Sequence, residues 1–394
     1  MRSILPIFLF ALISSLPSRA QTRSIIDFYD RQIAFTSNPV RLNFDGKLSP
    51  ENFFAFIRKM DEVDYNSVIN ALSDYKKNAK PDDWLYYQLI RKTAQYFSPK
   101  ADDYIRYTLY KWYFLTRTGY HAILSISPGK ILFYVQSDEL IYNLPYREKS
   151  GKQYICLNYH DYGSIDFGTE KFEEVFLPAP GAANAFSYKV TRLPEFSDQT
   201  FKYKDILFNY NGTDYHFRIK VNDEIKVIFK NYPAVEYASQ FNVPVNSKTY
   251  NSLIPLLRKQ IKGLKPQSGV EFLMNFSRYA FVYKPDVEVF GQEKRLSPEQ
   301  TLLSEYSDCE DRAALFFFLV KEIYDLPMIV LASPKHVTIA VQFDKAIGHT
   351  IDYNGRKYSI CEPTPQRMPL AVGQLTPEIA KQSFEIVYAY QPGR

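Results

Sequence analysis

The sequence feature that most constrains the fold of this chain is an internal repeat. Tyr-Asn-Ser-Val-Ile at 65–69 recurs as Tyr-Asn-Ser-Leu-Ile at 250–254, and eight of the 17 positions from 65 to 81 are identical at this offset of 185. Later landmarks recur at offsets of 206 and 205, namely Ser127-Pro128 as Ser333-Pro334 and Ile155-Cys156 as Ile360-Cys361. Such a repeat predicts two copies of one α-then-β unit. Chance similarity between two unrelated modules is the alternative.

Hydrophobic periodicity gives both copies the same order of elements. Apolar residues at helical spacing fill the stretch from Ser49 to about Tyr120, strand-like segments alternate with turns until about 240, and helical spacing returns from Lys248 to Tyr283. Asn211-Gly212 is typical of a hairpin turn, although Asn211-Gly212-Thr213 also matches a glycosylation acceptor.

We therefore predict an α+β fold with three parts. They are a module at about 40–162, a β-rich connecting region at 163–245 and a second module at 246–394. The larger offset later in the chain predicts an extra loop in the second copy, from Lys284 to about Asp308.

The N-terminus has the pattern of an export signal. Arg2 precedes an apolar stretch from Ile4 to Leu16 that is too short to span a bilayer comfortably, and a small residue, Ala20, ends the pattern. We predict a signal peptide at 1–20 and a mature protein that is soluble and either periplasmic or extracellular. A retained membrane anchor is the alternative.

The composition excludes several classes of protein. Hydrophobic residues make up 46% of the chain, which excludes general disorder, and a net charge of +5 from scattered Lys and Arg argues against nucleic-acid binding. The three cysteines are too few for a disulfide framework and leave at least one free thiol. His121, His160 and His216 have no metal-ligand spacing with cysteines or acids, which argues against a zinc site. The sequence shows no sign of another metal or of an organic cofactor, so we expect none.

Cys309 is the cysteine whose surroundings indicate chemistry. Ser307 followed by Glu310 is a capping-box pattern, which places Cys309 in the first turn of a helix. The helix dipole favours a thiolate there, whereas the carboxylates of Asp308, Glu310 and Asp311 oppose it, so that a base is needed. A cysteine in this position without further partners is more often structural than catalytic.

A base and an acid follow in the sequence. His336 lies at the start of a predicted strand, and Glu362 follows the next strand, where its carboxylate could orient the imidazole. His349, in a predicted turn, is a rival base. Strand alternation turns Cys361 away from the face that Glu362 uses, so we predict a buried Cys361 and no disulfide with Cys309.

These residues resemble the transglutaminase-like superfamily. Asp308-Cys309-Glu310-Asp311 resembles the Asp-Cys-x-Asp signature of its bacterial exported branch, and the resemblance extends roughly over 250–364. It implies a papain-like core of helices on an antiparallel sheet, with Cys309, His336 and Glu362 as the triad, although Asp is commoner than Glu as the acid.

The resemblance also implies an oxyanion hole that uses a side chain upstream of the cysteine. Gln292 is the candidate, and Tyr306 is the alternative. The first copy has Lys130 in place of the histidine and Leu157 or Asn158 in place of the acid, so we expect a degenerate module that serves as a scaffold or a binding half.

These observations predict an exported thiol enzyme that cleaves or transfers an amide bond. Its expected substrate is a protein, a peptide or a cell-wall peptide. Nothing in the sequence marks an amine-binding site, so we favour a peptidase or amidase over a transglutaminase. The alternative is a catalytically inactive binding or scaffold protein of the same fold.

Overall fold

The computed structural model of this protein describes residues 22–37, 42–44, 46–291 and 293–393. The predicted signal peptide at 1–20 and the oxyanion candidate Gln292 lie outside the described residues. Within the described ranges, no helix is both long enough and apolar enough to cross a membrane.

The first half of the chain begins with a strand hairpin and four helices. These elements are β1 (Thr22–Phe28), β2 (Arg31–Ser37), α1 (Pro50–Glu62), α2 (Asn66–Ala79), α3 (Asp83–Phe97) and α4 (Tyr104–Arg117). Helix α4 begins after Asp103, whose side chain accepts a hydrogen bond from the backbone N–H of Arg106. It is buried on all sides from Arg106 to Thr116, which makes it the central helix of this half.

Five strands follow and form one antiparallel sheet. They are β3 (Ala122–Ser127), β4 (Lys130–Gln136), β5 (Tyr146–Lys149), β6 (Lys152–Cys156) and β7 (Glu173–Val175). Their order in the sheet is β5-β6-β4-β3-β7, with the β3–β4 hairpin at the centre. Strand β7 comes from the stretch that the sequence separates as a connecting region, because three residues are too few for their alternation to be recognised.

A long hairpin and two short helices lead to the second half. They are β8 (Phe201–Tyr210), β9 (Thr213–Asn222), α5 (Glu224–Ile228) and α6 (Tyr237–Phe241). The hairpin turn lies at Asn211 and Gly212, as predicted, and both residues have the positive φ angles, 51° and 74°, that a type I′ turn requires.

The second half repeats the order of helices and then strands, with an insertion before its central helix. The helices and the insertion are α7 (Ser247–Gln260), α8 (Pro266–Tyr279), β10 (Val282–Tyr283), α9 (Asp286–Phe290), α10 (Pro298–Leu303), β11 (Tyr306–Ser307) and α11 (Cys309–Tyr324). The remaining elements are β12 (Met328–Ser333), β13 (His336–Val341), β14 (Thr350–Tyr353), β15 (Arg356–Cys361), α12 (Pro377–Ala380) and β16 (Glu385–Tyr390).

The two five-stranded sheets have the same strand order. The second sheet runs β14-β15-β13-β12-β16, which matches the first strand for strand, and its central hairpin closes between Ser333 and His336 as the first closes between Ser127 and Lys130. In each half a strand of the preceding hairpin packs on a helix that comes later in the chain, β2 on α2 and β9 on α7. The fold is therefore α+β, with helices packed against two antiparallel sheets.

Candidate active site

The thiol of Cys309 stands at the first position of α11, in the first helical turn as predicted. Asp308 caps this helix, because its Oδ1 accepts hydrogen bonds from the backbone N–H groups of Glu310 and Asp311 at 3.0 and 3.2 Å. In return, Asp311 Oδ2 accepts from the backbone N–H of Asp308 at 3.4 Å. The capping box is thus formed by Asp308 and Asp311, and the predicted pair of Ser307 and Glu310 is wrong.

Ser307 cannot cap the helix because it belongs to a strand. It lies in β11, paired in parallel with Tyr283 of β10, and its hydroxyl accepts a hydrogen bond from Nε of Arg312 at 2.9 Å. The helix therefore begins one residue later than the Ser307 pattern indicates. A two-residue strand leaves no periodic signal in the sequence, so the competing role of Ser307 could not be recognised.

His336 and Glu362 lie next to each other. His336 is the first residue of β13, and its Nε2 is 2.7 Å from Oε2 of Glu362. The Glu362 side chain is fully buried, and its other oxygen accepts from the backbone N–H of Thr364 at 2.8 Å. Both carboxylate oxygens are thus engaged, and the imidazole is fixed in orientation by a hydrogen bond between side chains.

The thiol of Cys309 lies against the strand that His336 begins. The backbone N–H of Val337, the residue after His336, is close enough to the sulfur to lower the pKa of the thiol. Since Nε2 of His336 is held by Glu362, Nδ1 is the ring nitrogen that remains free to exchange a proton with another group. His336 and Glu362 are therefore in contact at the adjacent ends of β13 and β15, and Cys309 at the start of α11 lies near enough for the Glu362 carboxylate to raise the pKa of its thiol.

The electrostatic surroundings favour the neutral thiol. Burial raises the pKa of Cys309 well above its usual range, and the carboxylates of Asp308, Glu310 and Glu362 raise this pKa further. The N–H of Val337 acts in the opposite direction. Burial and the neighbouring acids therefore outweigh the one donor that lowers this pKa, and deprotonation requires a partner that takes the proton.

Glu310 is held beside the site by two side chains from preceding loops and helices. Tyr237 donates its hydroxyl to Oε1 at 2.9 Å, and Nε of Arg295 donates to Oε2 at 3.2 Å. The Arg295 guanidinium also lies 4.2 Å from the centre of the Tyr237 ring. These contacts neutralise part of the charge that faces the thiol.

Two buried arginines, which the sequence analysis missed, tie the site together. The guanidinium of Arg278 in α8 donates to the backbone oxygens of Glu362 and Leu370, and that of Arg312 donates to the backbone oxygens of Arg278 and Phe281. Both arginines have almost no exposed surface. Arg278 follows a mostly apolar run in α8, which was the signal that could have identified it, whereas Arg312 directly follows Glu310 and Asp311 and has no such signal.

A cluster of carboxylates lies beside the nucleophile. Oxygen atoms of Asp286, Glu293 and Asp308 lie within 4.8 Å of one another, and this is the one group of three or more potential metal ligands that converge within the described ranges. The pKa of Asp286 is raised to about 8 and that of Asp308 to about 6, chiefly by burial and also by the charges of neighbouring carboxylates. The cluster escaped the sequence analysis because the insertion separates its members.

The remaining predicted residues lie away from this arrangement or at its edge. His349 is exposed, and it uses its backbone to bond Gly373 and Ile360, whereas Glu362 pairs with His336. Tyr306 is partly exposed, with its ring centre 5.1 Å from Nζ of Lys284. Cys361 is a buried free thiol, as predicted, and so is Cys156.

The first half has other side chains at the corresponding places. Tyr104 begins α4 as Cys309 begins α11, Lys130 begins β4 as His336 begins β13, and Leu157 follows β6 as Glu362 follows β15. Nδ2 of Asn158 donates to the Tyr104 hydroxyl at 2.8 Å. This half therefore places an aromatic side chain where the other half has its thiol.

Comparison with protein-family models and with curated proteins finds no match for this chain.

Proposed function

We propose that the protein is a thiol enzyme that acts on an amide bond, with Cys309 as nucleophile, His336 as base and Glu362 as the residue that orients the imidazole. The observation that carries this proposal is the 2.7 Å hydrogen bond between His336 and Glu362, beside the helix start that holds Cys309. A buried carboxylate that fixes a histidine next to a thiol is the arrangement that nucleophilic catalysis requires.

The proposed reaction follows from these positions. Nδ1 of His336 takes the thiol proton, the sulfur of Cys309 attacks the amide carbonyl carbon, and the imidazolium then gives its proton to the leaving amine. The resulting thioester is cleaved by water, which regenerates the thiol. Water is the preferred acceptor because no feature of the chain marks a site for a second amine, and the substrate class is a protein, a peptide or a cell-wall peptide.

We further propose that the two halves arose by duplication of a papain-like, transglutaminase-like module, with the first copy degenerate. The identical strand order of the two sheets supports this view, as do the capped helices that begin at Tyr104 and Cys309. The pattern of residues 1–20 supports export to the periplasm or the extracellular space.

A second candidate function is a binding protein that retains the fold without turnover. One specific observation favours it: burial and three neighbouring carboxylates raise the pKa of Cys309, so that the thiol is neutral at rest. In this case His336 and Glu362 form a structural pair.

Thiol alkylation separates the two candidates. The rate of iodoacetamide labelling at Cys309 is measured by mass spectrometry across pH in the native protein, in His336→Ala and in the exposed-histidine control His349→Ala. We expect rapid labelling at neutral pH that slows in His336→Ala and is unchanged in His349→Ala. Slow labelling in all three proteins, increasing only near or above the free-thiol pKa of about 8.5, would contradict the enzyme and leave the binding protein.

A further inference from the structure

The first half contains a pocket that is formed by other elements than the thiol site. Its lining residues are distant in sequence from Cys309, His336 and Glu362. Its volume is about 540 Å³, within the range of sites that bind small molecules. Strands β5 and β7 lie at opposite edges of the first sheet, yet Lys149 of β5 forms an ion pair with Glu174 of β7. The sheet therefore curls until its edges meet, and the pocket opens at this junction.

One wall of the pocket is apolar and aromatic. It includes Phe54, Trp112, Val175, Phe176 and Pro178. The indole N–H of Trp112 donates to the backbone oxygen of Ala122 at 3.1 Å, so the pocket meets only the apolar part of this side chain. Phe176 is 81% exposed, which is unusual for a phenylalanine; Nζ of Lys149 lies 4.5 Å from the centre of its ring, and the rest of the ring is available to a ligand.

The other wall is basic. His121, Lys149 and Lys152 line it, and Glu174, already paired with Lys149, is the one carboxylate among the lining residues. Nδ1 of His121 is 3.2 Å from the Tyr154 hydroxyl, and Nζ of Lys152 is 3.3 Å from the amide oxygen of Gln136. Within the described ranges no carboxylate pairs with His121 or Lys152, so this wall holds uncompensated positive charge.

We propose that this pocket binds a small amphipathic anion, an aryl or alkyl carboxylate, with its apolar part against Trp112 and Phe176 and its carboxylate between His121 and Lys152. The proposal is independent of the thiol chemistry and gives the first half a function of its own. Charge complementarity selects an anion over a cation, and the aromatic wall selects an apolar body over a sugar or a free phosphate.

Binding of the anion should also change the protonation of His121, and this change can be measured. Burial, Lys152 and Lys149 together lower the pKa of His121, so this side chain is mostly neutral near pH 7 in the empty pocket. The other titratable groups that line the pocket are Tyr154 and Glu174. A bound carboxylate favours the charged imidazole, so binding takes up a proton and becomes tighter as the pH falls below neutral.

Isothermal titration calorimetry with 2-naphthoate, and with the neutral isostere 2-naphthalenemethanol, tests the proposal. We expect the full chain to bind the carboxylate at least about tenfold more tightly than the alcohol, a difference of about 1.4 kcal/mol. Lys152→Ala and His121→Gln should each weaken naphthoate binding severalfold. The control Lys189→Ala removes one exposed charge outside the pocket and should leave the affinity unchanged. Proton uptake is measured by repeating the titration in buffers of different ionisation enthalpy.

Several results would overturn this assignment. They are the absence of binding at about 1 mM naphthoate, equal affinity for the alcohol, or equal affinity in Lys152→Ala and the native protein. Lys152 is exposed, so its substitution is expected to leave the fold intact, and unfolding curves check this for both variants. Because iodoacetamide labelling of Cys309 is a separate measurement, failure of one proposal does not imply failure of the other.

Discussion

Glu362 contacts His336 directly and also raises the pKa of Cys309, so one buried carboxylate acts on the thiol in two opposite ways. It stabilises the imidazolium that would accept the thiol proton, and it repels the thiolate that would remain. Which effect prevails depends on whether Cys309 and His336 exchange a proton.

Substitution of Glu362 by Gln distinguishes these effects. If His336 takes the proton from Cys309, loss of the carboxylate should slow iodoacetamide labelling at neutral pH about tenfold or more, because a neighbouring opposite charge shifts a pKa by about one unit or more. If the thiol ionises alone, its pKa should fall and labelling should accelerate. The exposed Glu385→Gln variant controls for a general change in charge. Acceleration in Glu362→Gln would contradict the proposed triad.

Arg278 is expected to be essential for the stability of the loop that carries Glu362. In Arg278→Met, the backbone oxygens of Glu362 and Leu370 lose their buried donor, which should lower the free energy of unfolding by about 3 kcal/mol. Arg278→Lys should recover only part of this loss, since a single ammonium cannot reproduce the planar guanidinium. Urea unfolding of the two Arg278 variants measures these losses of stability, and the exposed Arg258→Lys variant serves as the control. Full recovery in Arg278→Lys would show that charge alone matters.

The buried Glu299 predicts that stability decreases as the pH rises. Burial raises its pKa to about 7, against about 4.3 in an unfolded chain, so the folded state holds the proton more tightly between these values. The stabilising contribution is complete below about pH 4 and is lost as the pH rises through about 7, on the order of 3 kcal/mol in all. Glu299→Gln should flatten the dependence of unfolding free energy on pH over this interval. The exposed Glu305→Gln should leave the slope unchanged, and an equal slope in both variants would exclude Glu299 as its source.

Gly373 is predicted to tolerate no side chain, because its backbone closely approaches another backbone segment. It has φ +81°, and an added Cβ would overlap the backbone of Ile347 and Gly348. Gly355 has a similar φ of +73° but open space around it, so Gly355→Ala incurs only the conformational cost of about 1 kcal/mol. Gly373→Ala should lower the free energy of unfolding by clearly more than Gly355→Ala does. Thermal unfolding of the two variants measures this difference, which is the contribution of the close backbone approach. Equal destabilisation would show that the loop can move to accept the methyl group.

Elements with a long, regular pattern could be predicted from the sequence. The helix at Asp83–Phe97 and the hairpin around Asn211 and Gly212 lie where periodicity and turn chemistry indicate. The short strands β7, β10 and β11 could not be predicted, since two or three residues carry no period, and the displaced helix cap at Ser307 followed from missing β11.

The proximity of His336 and Glu362 was predicted from the order of residue types and from a family resemblance. The contacts that support this pair were not predicted. Arg278 and Arg312 bind backbone oxygens, which every residue has, so no complementary side chain in the sequence marks their partners. Asp286 and Glu293 approach Asp308 only through the path of the insertion, which depends on tertiary packing.

The shared strand order of the two sheets also affects how they can assemble. In each sheet the central pair is a hairpin of consecutive residues, β3–β4 and β12–β13, and every outer strand comes later in the chain. Closing such a tight turn costs little conformational entropy. Folding of each sheet can therefore begin at the central hairpin and add strands on both sides as more of the chain becomes available. Two separate nuclei of the same design, one in each half, would give this chain parallel routes to its native state.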